Sequence, residues 1–309
     1  MRTLIADSQA LNLVSLCPRR YFFQQVISLE PTKKSTEIVT ETEGSYLEKG
    51  DLLHTFLRIY YKLKMRELPH PDCVALSLEY GRGHAVELFG VPIHVCEYIA
   101  SQFAAYAKYY RHDSWKPIAV EQAFSKVMYE SESDDLRIIY EGIVDLLVMA
   151  EGIDRPVPVD HKSSKRRSDP KKMGVNQFKG YCWASDSTRF FVNKVGFQKT
   201  LSPKERFQRD PLHWNALQLE EWRIDAVYWL KELANHLSQD SWPTNETACS
   251  VYFRECDFAK ICGVSPKVRG FKMFADFQIH ERWDPKKAAA EHLEEEEWLN
   301  QRVGNVVAV

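Results

Sequence analysis

The stretch from Trp115 to Lys162 constrains the fold most, because its apolar residues are β-branched and aromatic and lack helical spacing. Residues 119–128, 136–140, 142–150 and 157–160 read as three or four strands. The acidic, serine-bearing residues 130–135 and the Glu151-Gly152-Ile153-Asp154 tetrad supply turns between them, so a meander of hairpins is expected. Helical patterns flank it. Leu52, Leu53, Phe56, Leu57, Tyr60 and Tyr61 recur at helix period just after Gly50, and a further helix is expected over about residues 92–110. Downstream, residues 176–184 read as helix, 189–197 as strand and 219–237 as a long amphipathic helix. Near the start, Ser8 is the expected cap of a helix through Leu11, Val14, Phe22 and Val26, broken by Pro18 near Cys17. The pattern predicts an α/β chain in which helices flank one sheet.

With 309 residues, 44% of them hydrophobic and 27% charged, the chain can bury a core, which excludes disordered, collagen-like and coiled-coil classes. Its apolar runs, such as residues 143–150 interrupted by Asp145, fall far short of the roughly 20 residues of a membrane span. Residues 1–10 lack the apolar core of a signal peptide, so a cytoplasmic protein with no membrane partner is expected. A net charge of −2 gives no global sign of nucleic-acid binding, so any such partner must meet a local patch. Residues 32–45 are polar and aperiodic, an expected loop. The simplest partition is one domain over residues 1–285, with cysteine-bearing segments at about 1–30 and 242–270, and an acidic tail over 286–309.

The chemistry concentrates in Gly142-Ile143-Val144-Asp145 and Asp160-His161-Lys162. Residues two apart on a strand share a face, so Asp160 and Lys162 present a carboxylate and an ammonium together. If the preceding strand pairs as a hairpin, Asp145 projects beside Asp160, and two carboxylates on neighbouring strands suit a hard divalent cation. Phosphodiester hydrolysis needs such a set, to neutralise phosphoryl oxygens, position a water and stabilise the leaving oxygen. Taken alone an Asp-x-Lys triplet is common, and a strand running into a basic loop explains it without chemistry. Gly50-x3-His54 on the upstream helix offers either an ordinary packed imidazole or a metal ligand. Gln177 and Tyr181, four apart on the downstream helix, share a face and could meet a phosphate or a base. Lys165, Arg166, Arg167, Lys171 and Lys172 make a local basic run, a solvated loop or a rim that tracks DNA. Glu121 on the first meander strand either orients the site or is simply exposed, and exposure is the expectation.

In this order, Gly-x3-His, Gly-x2-Asp, Asp-x-Lys and Gln-x3-Tyr resemble the RecB-like branch of the PD-(D/E)XK nuclease superfamily over about residues 50–181. The resemblance implies a restriction-endonuclease-like core, a central mixed sheet flanked by helices in α-β-β-β-α-β order. It implies a Mg²⁺- or Mn²⁺-dependent deoxyribonuclease, an exonuclease on single-stranded DNA or DNA ends, in a prokaryote or phage. His54, Asp145, Asp160 and the carbonyl of His161 would hold metal, and Lys162 would assist the attacking water. Gln177, Tyr181 and the basic Lys165, Arg166 and Arg167 would contact DNA. His161 stands where Glu or Asp is usual, so a backbone carbonyl replaces a side chain. An imidazole ligand shifts preference towards Mn²⁺. A helicase or another recombination or replication protein is the partner implied. The alternative from a different class is a non-catalytic DNA-binding or scaffolding module of the same fold.

Seven cysteines in such a chain read as metal ligands or buried thiols rather than disulfides. Cys249-x6-Cys256-x5-Cys262 is clustered and Cys17 stands far away. Four thiolates can bind a [4Fe-4S] cluster or a structural zinc, and the spacing is wider than the Cys-x2-Cys of a zinc ribbon. The layout resembles the iron-sulfur staple of AddB-type and CRISPR-associated RecB-like nucleases, which implies that Cys17, Cys249, Cys256 and Cys262 join the N- and C-terminal segments through a [4Fe-4S] cluster. Cys73, Cys96 and Cys182 fit no pattern and are expected to pack.

Overall fold

The computed structural model describes residues 1–32, 46–89, 91–164, 175–198, 200–251, 254–280 and 285–307. Most of the expected polar loop over 32–45 and the basic run after Ser164 lie outside the described residues. In chain order the elements begin β1 (Arg2–Ala6), α1 (Ser8–Leu16), α2 (Pro18–Tyr21), β2 (Leu29–Pro31), α3 (Tyr46–Met65), α4 (His70–Phe89) and α5 (Ile93–Tyr109). There follow β3 (Lys116–Ser131), β4 (Leu136–Met149), β5 (Val157–Ser164), α6 (Val175–Ala184), β6 (Arg189–Gly196), α7 (Pro203–Arg206), β7 (Phe207–His213) and α8 (Ala216–Gln239). The last are β8 (Ser250–Val251), β9 (Arg254–Glu255), α9 (Ala259–Cys262), α10 (Arg269–Asp276), β10 (Phe277–Ile279) and α11 (Pro285–Val307). The chain gathers into two compact units, Met1–Pro18 with Ser35–Pro243, and Arg19–Lys34 with Thr244–Val309.

The first unit is built on a mixed sheet in the order β1-β4-β5-β6-β7, with β3 also on β4. The antiparallel meander is present, but residues 136–140 and 142–150 form one strand, since β4 runs through Gly142. Asp7, one residue before the expected Ser8, caps α1 by accepting the Ala10 amide at 2.7 Å. β3 pairs with β4 along its whole length, while β1 holds Leu136–Tyr140 and β5 holds Leu146–Val148. After α6 the chain returns as β6, parallel to β5, completing the α-β-β-β-α-β order.

Two helical layers cover opposite faces. Val192 packs with Phe178 of α6, while Asn193 beside it accepts a hydrogen bond from Tyr106 of α5, and neighbours on a strand point to opposite faces. On the first side α1, α6 and α8 are tied together: Trp222 Nε1 donates to Asn176, which donates to Asn12. On the other, Phe56, Tyr60 and Phe103 stack between α3 and α5. One close approach fixes the first layer to the sheet. A Cβ on Gly180 would lie 2.3 Å from the Tyr140 hydroxyl and 2.7 Å from its ring, which is fully buried. Gly180→Ala is therefore expected to lower the unfolding free energy by about 1–3 kcal/mol through overpacking, read from urea midpoints, although alanine favours helix by up to about 1 kcal/mol.

In the second unit β2 pairs antiparallel with β10, and Phe23, Leu29, Phe258, Ile261 and Phe277 form a small core. Here Pro285–Val307 forms the long helix α11, the helical one of the two forms, peripheral helix or mobile tail, that the acidic C-terminal stretch allowed.

Candidate active site

The site lies where two strands part. The β4–β5 ladder ends at Leu146↔Val159, and one residue further the Asp145 carboxylate accepts the His161 amide at 2.7 Å. The side chain takes over the bond that the neighbouring strand no longer supplies, which sets Asp145 beside Asp160. Because N–H and C=O of one strand residue point to the same edge, the His161 carbonyl faces this fork as well. Asp160 is buried, and Lys162 Nζ lies 2.9 Å from its Oδ1 and 2.8 Å from its Oδ2. The hydrogen bond is directed at Oδ1, and the buried Oδ2 has the same ammonium as an ion-pair contact but no aligned hydrogen bond. His54 comes from α3, with Nδ1 3.7 Å from Asp145 Oδ2. One turn earlier, a Cβ on Gly50 would press within 3.3 Å of the Ser163 hydroxyl, so this glycine allows α3 to lie close to β5.

The electrostatics belong to carboxylates short of counter-charge. Burial, then the charge of Asp145, pushes the Asp160 carboxyl up to about 7. Burial pushes Asp145 up to about 6, against the opposing His161 amide and Lys162 charge. Burial also lowers His54, and Asp160 only partly offsets it, which favours the neutral imidazole that metals bind. Among the described residues no group of three or more His, Cys, Asp or Glu side chains is gathered closely enough to hold a metal ion, at the fork or among the cysteines. The donors present still fit a hard divalent cation, which is commonly held by one or two carboxylates with waters and substrate phosphate completing its shell. Asp160 Oδ2, which lacks an aligned hydrogen bond, is the oxygen such an ion would engage.

The His161 imidazole is engaged elsewhere. It is buried, stacked on Tyr61 at 5.6 Å, and its Nδ1 takes a hydrogen bond from Asn193 at 2.8 Å. Behind it runs a buried chain of donors. Arg209 donates to Tyr61 and Tyr106 at 3.2 Å, the Tyr61 and Tyr106 hydroxyls lie 2.7 Å apart, and Tyr106 donates to Asn193 at 3.1 Å. Since the Tyr106 proton goes to Asn193, Tyr61 must donate to Tyr106. Burial holds His161 well below and Tyr61 well above their usual pKa, so both are neutral.

Gln177 Nε2 donates to the Tyr181 hydroxyl at 3.0 Å, so the two share the helix face expected of them. Tyr181 is only 7% exposed and packs with Val144, Phe178 and Phe190, which leaves Gln177 as the more open member. Lys165, Arg166 and Arg167 fall outside the described residues. Glu121 is not the freely exposed residue expected. It sits on β3 between Val120 and Gln122, which pair with Leu146 and Val144 on either side of Asp145, is half-buried, and lies 3.4 Å from Arg58. Its φ of 48° is left-handed inside a strand, an unfavourable conformation for a non-glycine residue.

The cysteines divide. Cys73, Cys96 and Cys182 are buried in the first unit, as expected of packing residues. The wide Cys249–Cys256 interval is a hairpin: β8 and β9 pair Ser250↔Glu255, and the Cys256 amide donates to the Cys249 carbonyl at 2.8 Å. Cys262 ends α9, and with Cys256 it packs against the second unit's core. Cys17 follows α1, at the end of the first unit's N-terminal segment.

A mixed sheet between helical layers, in this element order, fits a restriction-endonuclease-like core. Residues 8–263 match the PD-(D/E)XK nuclease superfamily, and the chain belongs to it. No curated protein matches the chain. The crystal structure of SSO0001 is similar over 70% of this chain and 84% of its own, at 11% identity and a TM-score of 0.32. Among the described residues no helix is long and apolar enough to cross a membrane.

Proposed function

We propose that this chain is a RecB-like, metal-dependent deoxyribonuclease, an exonuclease on single-stranded DNA or DNA ends, in which Asp145, Asp160, His54 and the His161 carbonyl hold Mg²⁺ or Mn²⁺. Superfamily membership supports a nuclease. The observation that carries the site assignment is the fork itself, with a buried and a half-buried carboxylate, both of raised pKa, and a lysine ion-paired to the buried one on the same strand. A bound divalent cation would neutralise phosphoryl oxygens and lower the pKa of a coordinated water. The chain's own residues do the rest. Asp145 and Asp160 hold the cation's face of the site, Lys162 keeps Asp160 aligned and presents an ammonium to the attacking water, and Gln177 bonds a phosphate oxygen of the strand. Lys165, Arg166 and Arg167 track the backbone beyond the site, and duplex unwinding falls to a helicase or similar recombination or replication partner.

The test is cleavage of end-labelled single-stranded and duplex DNA with Mn²⁺ or Mg²⁺. A ladder shortening from one end, formed faster with Mn²⁺, is expected. DNA bound but never cut with either metal would make the chain a non-catalytic module.

Cys17, Cys249, Cys256 and Cys262 are proposed to carry a structural [4Fe-4S] cluster. The hairpin contact that brings the Cys249 carbonyl to the Cys256 amide supports a pairing of these two thiols in the ligand set. Protein purified without oxygen should contain iron and absorb broadly in the visible, and Cys256→Ala should lose both and unfold at lower temperature. Zinc without iron would replace the cluster with a zinc staple, and a coloured, stable variant would take Cys256 off the ligand set.

A further inference from the structure

From the second unit alone we infer that α10 is a stacking platform for single-stranded nucleic acid, with Phe271 and Phe274 as the stacking rings and Lys267 and Arg269 as phosphate contacts. Phe271 is 80% and Phe274 92% exposed, where phenylalanine is ordinarily buried. Three residues apart on a helix, they share its outer face, while Met273 turns inward to pack against Phe23, Phe258 and Phe277. The helix is thus anchored on one side and offers two rings to solvent on the other.

Charge says what covers them. From Phe258 to Ala275 the chain carries Lys260, Lys267, Arg269 and Lys272 and no acidic residue, in a protein whose net charge is −2. Lys272 is paired with Asp276 at 2.7 Å, but Lys260 and Lys267 are exposed, and the half-buried Arg269, one guanidinium nitrogen of which donates to the Cys262 carbonyl at 3.5 Å, has no acidic partner among the described ion pairs. Aromatic faces interleaved with cations are the composition of a site that stacks bases and neutralises phosphates. The contrast lies within this chain. Exposed Leu217, Ile224 and Tyr228 on α8 are interleaved with Glu220, Glu221 and Asp225, a surface that repels a polyanion. This inference rests on the nuclease reading for the identity of the polyanion, and adds where an unpaired strand is gripped.

The test is fluorescence anisotropy of labelled oligo(dT) and of a duplex, with the full chain and no added divalent ion, so that nothing is cut. Phe271→Ala/Phe274→Ala should weaken oligo(dT) binding by about tenfold or more and leave the circular dichroism spectrum and duplex affinity unchanged. Phe271→Trp should keep the affinity and show indole quenching on titration, whereas Phe271→Leu/Phe274→Leu, which keeps apolar bulk without a ring, should bind as weakly as the alanine pair. Lys267→Ala/Arg269→Ala should reduce the slope of log affinity against log salt by about 0.7 per lost phosphate contact. Unchanged oligo(dT) affinity in the alanine pair overturns the platform, and does so without touching the nuclease reading if that variant still cuts DNA. Leucine serving as well as phenylalanine, or alanine variants that change only the sedimentation coefficient, would make the face a protein contact and overturn it too. If the unmodified chain neither binds nor cuts any nucleic acid, both readings fall.

Discussion

Asp160→Asn should slow phosphodiester cleavage by about a thousandfold or more while leaving the fold in place. Losing several kcal/mol of charge stabilisation at a cation and its phosphate corresponds to that factor, at about 1.4 kcal/mol per decade. The fold should survive because asparagine has the same shape and keeps an oxygen for the Lys162 ammonium, now 2.9 Å from Oδ1. The native environment also disfavours the charge being removed, since burial and Asp145 push Asp160 up to about 7. Steady-state cleavage, circular dichroism and a thermal melt on the same preparation decide the matter. A variant that melts far below the unmodified chain would show the carboxylate to be structural, and one that cuts normally would move the chemistry elsewhere. Lys162→Ala separates positioning from charge: it frees Asp160 Oδ1 without altering the carboxylate, so metal binding should persist while turnover falls.

The residues gathered at the fork were legible because their signals are local. Period-two alternation put Asp160 and Lys162 on one face, turn chemistry made a hairpin of β4 and β5, and helix spacing placed Gln177 against Tyr181. The elements that escaped depend on partners far along the chain. β1, with five residues, has no strand signature beyond its pairing to β4, and β7 contains Pro211, which suits an edge strand and demotes it in any propensity reading. Glu121 escaped for the same reason, since only the register of its neighbours, on either side of Asp145, reveals its place. The Cys249–Cys256 interval looked too wide as a linear spacing, and the two-residue strands β8 and β9 that close it are too short to carry a pattern. Arg209 gave no signal at all: a single arginine in an edge strand looks like surface.

Arg209 is nonetheless the residue whose loss should cost the first unit most. Its guanidinium lies over the rings of Tyr110 and Trp115, at 3.6 and 3.5 Å, and grips Asp113 through bonds of 2.6 and 2.9 Å. The Asp113 side chain is 2% exposed. Burial raises the Asp113 carboxyl, but the Arg209 bonds and charge outweigh it and hold it below the usual value. Arg209→Met would leave that carboxylate buried with Lys64, 3.5 Å away, as its remaining cation. A buried ion pair broken on one side is destabilising by about 3–5 kcal/mol, whereas replacing both partners with apolar groups is often neutral. Guanidinium unfolding should therefore show a large loss in Arg209→Met and recovery of most of it in Arg209→Met/Asp113→Leu. The pH dependence has a fixed sign. A carboxyl depressed in the folded state contributes stability above its unfolded value of about 3.9, lost as pH falls through the lower folded value. Acid unfolding should thus be less steep in the double variant. Because the donor chain from Arg209 ends on the His161 ring, the double variant should also leave Asn193 and Tyr61 less firmly held and slow cleavage after stability is restored. Full activity in a restabilised double variant would confine the network to folding, and would show that the Asp145 carboxylate and the β5–β6 ladder suffice to fix the His161 backbone at the fork.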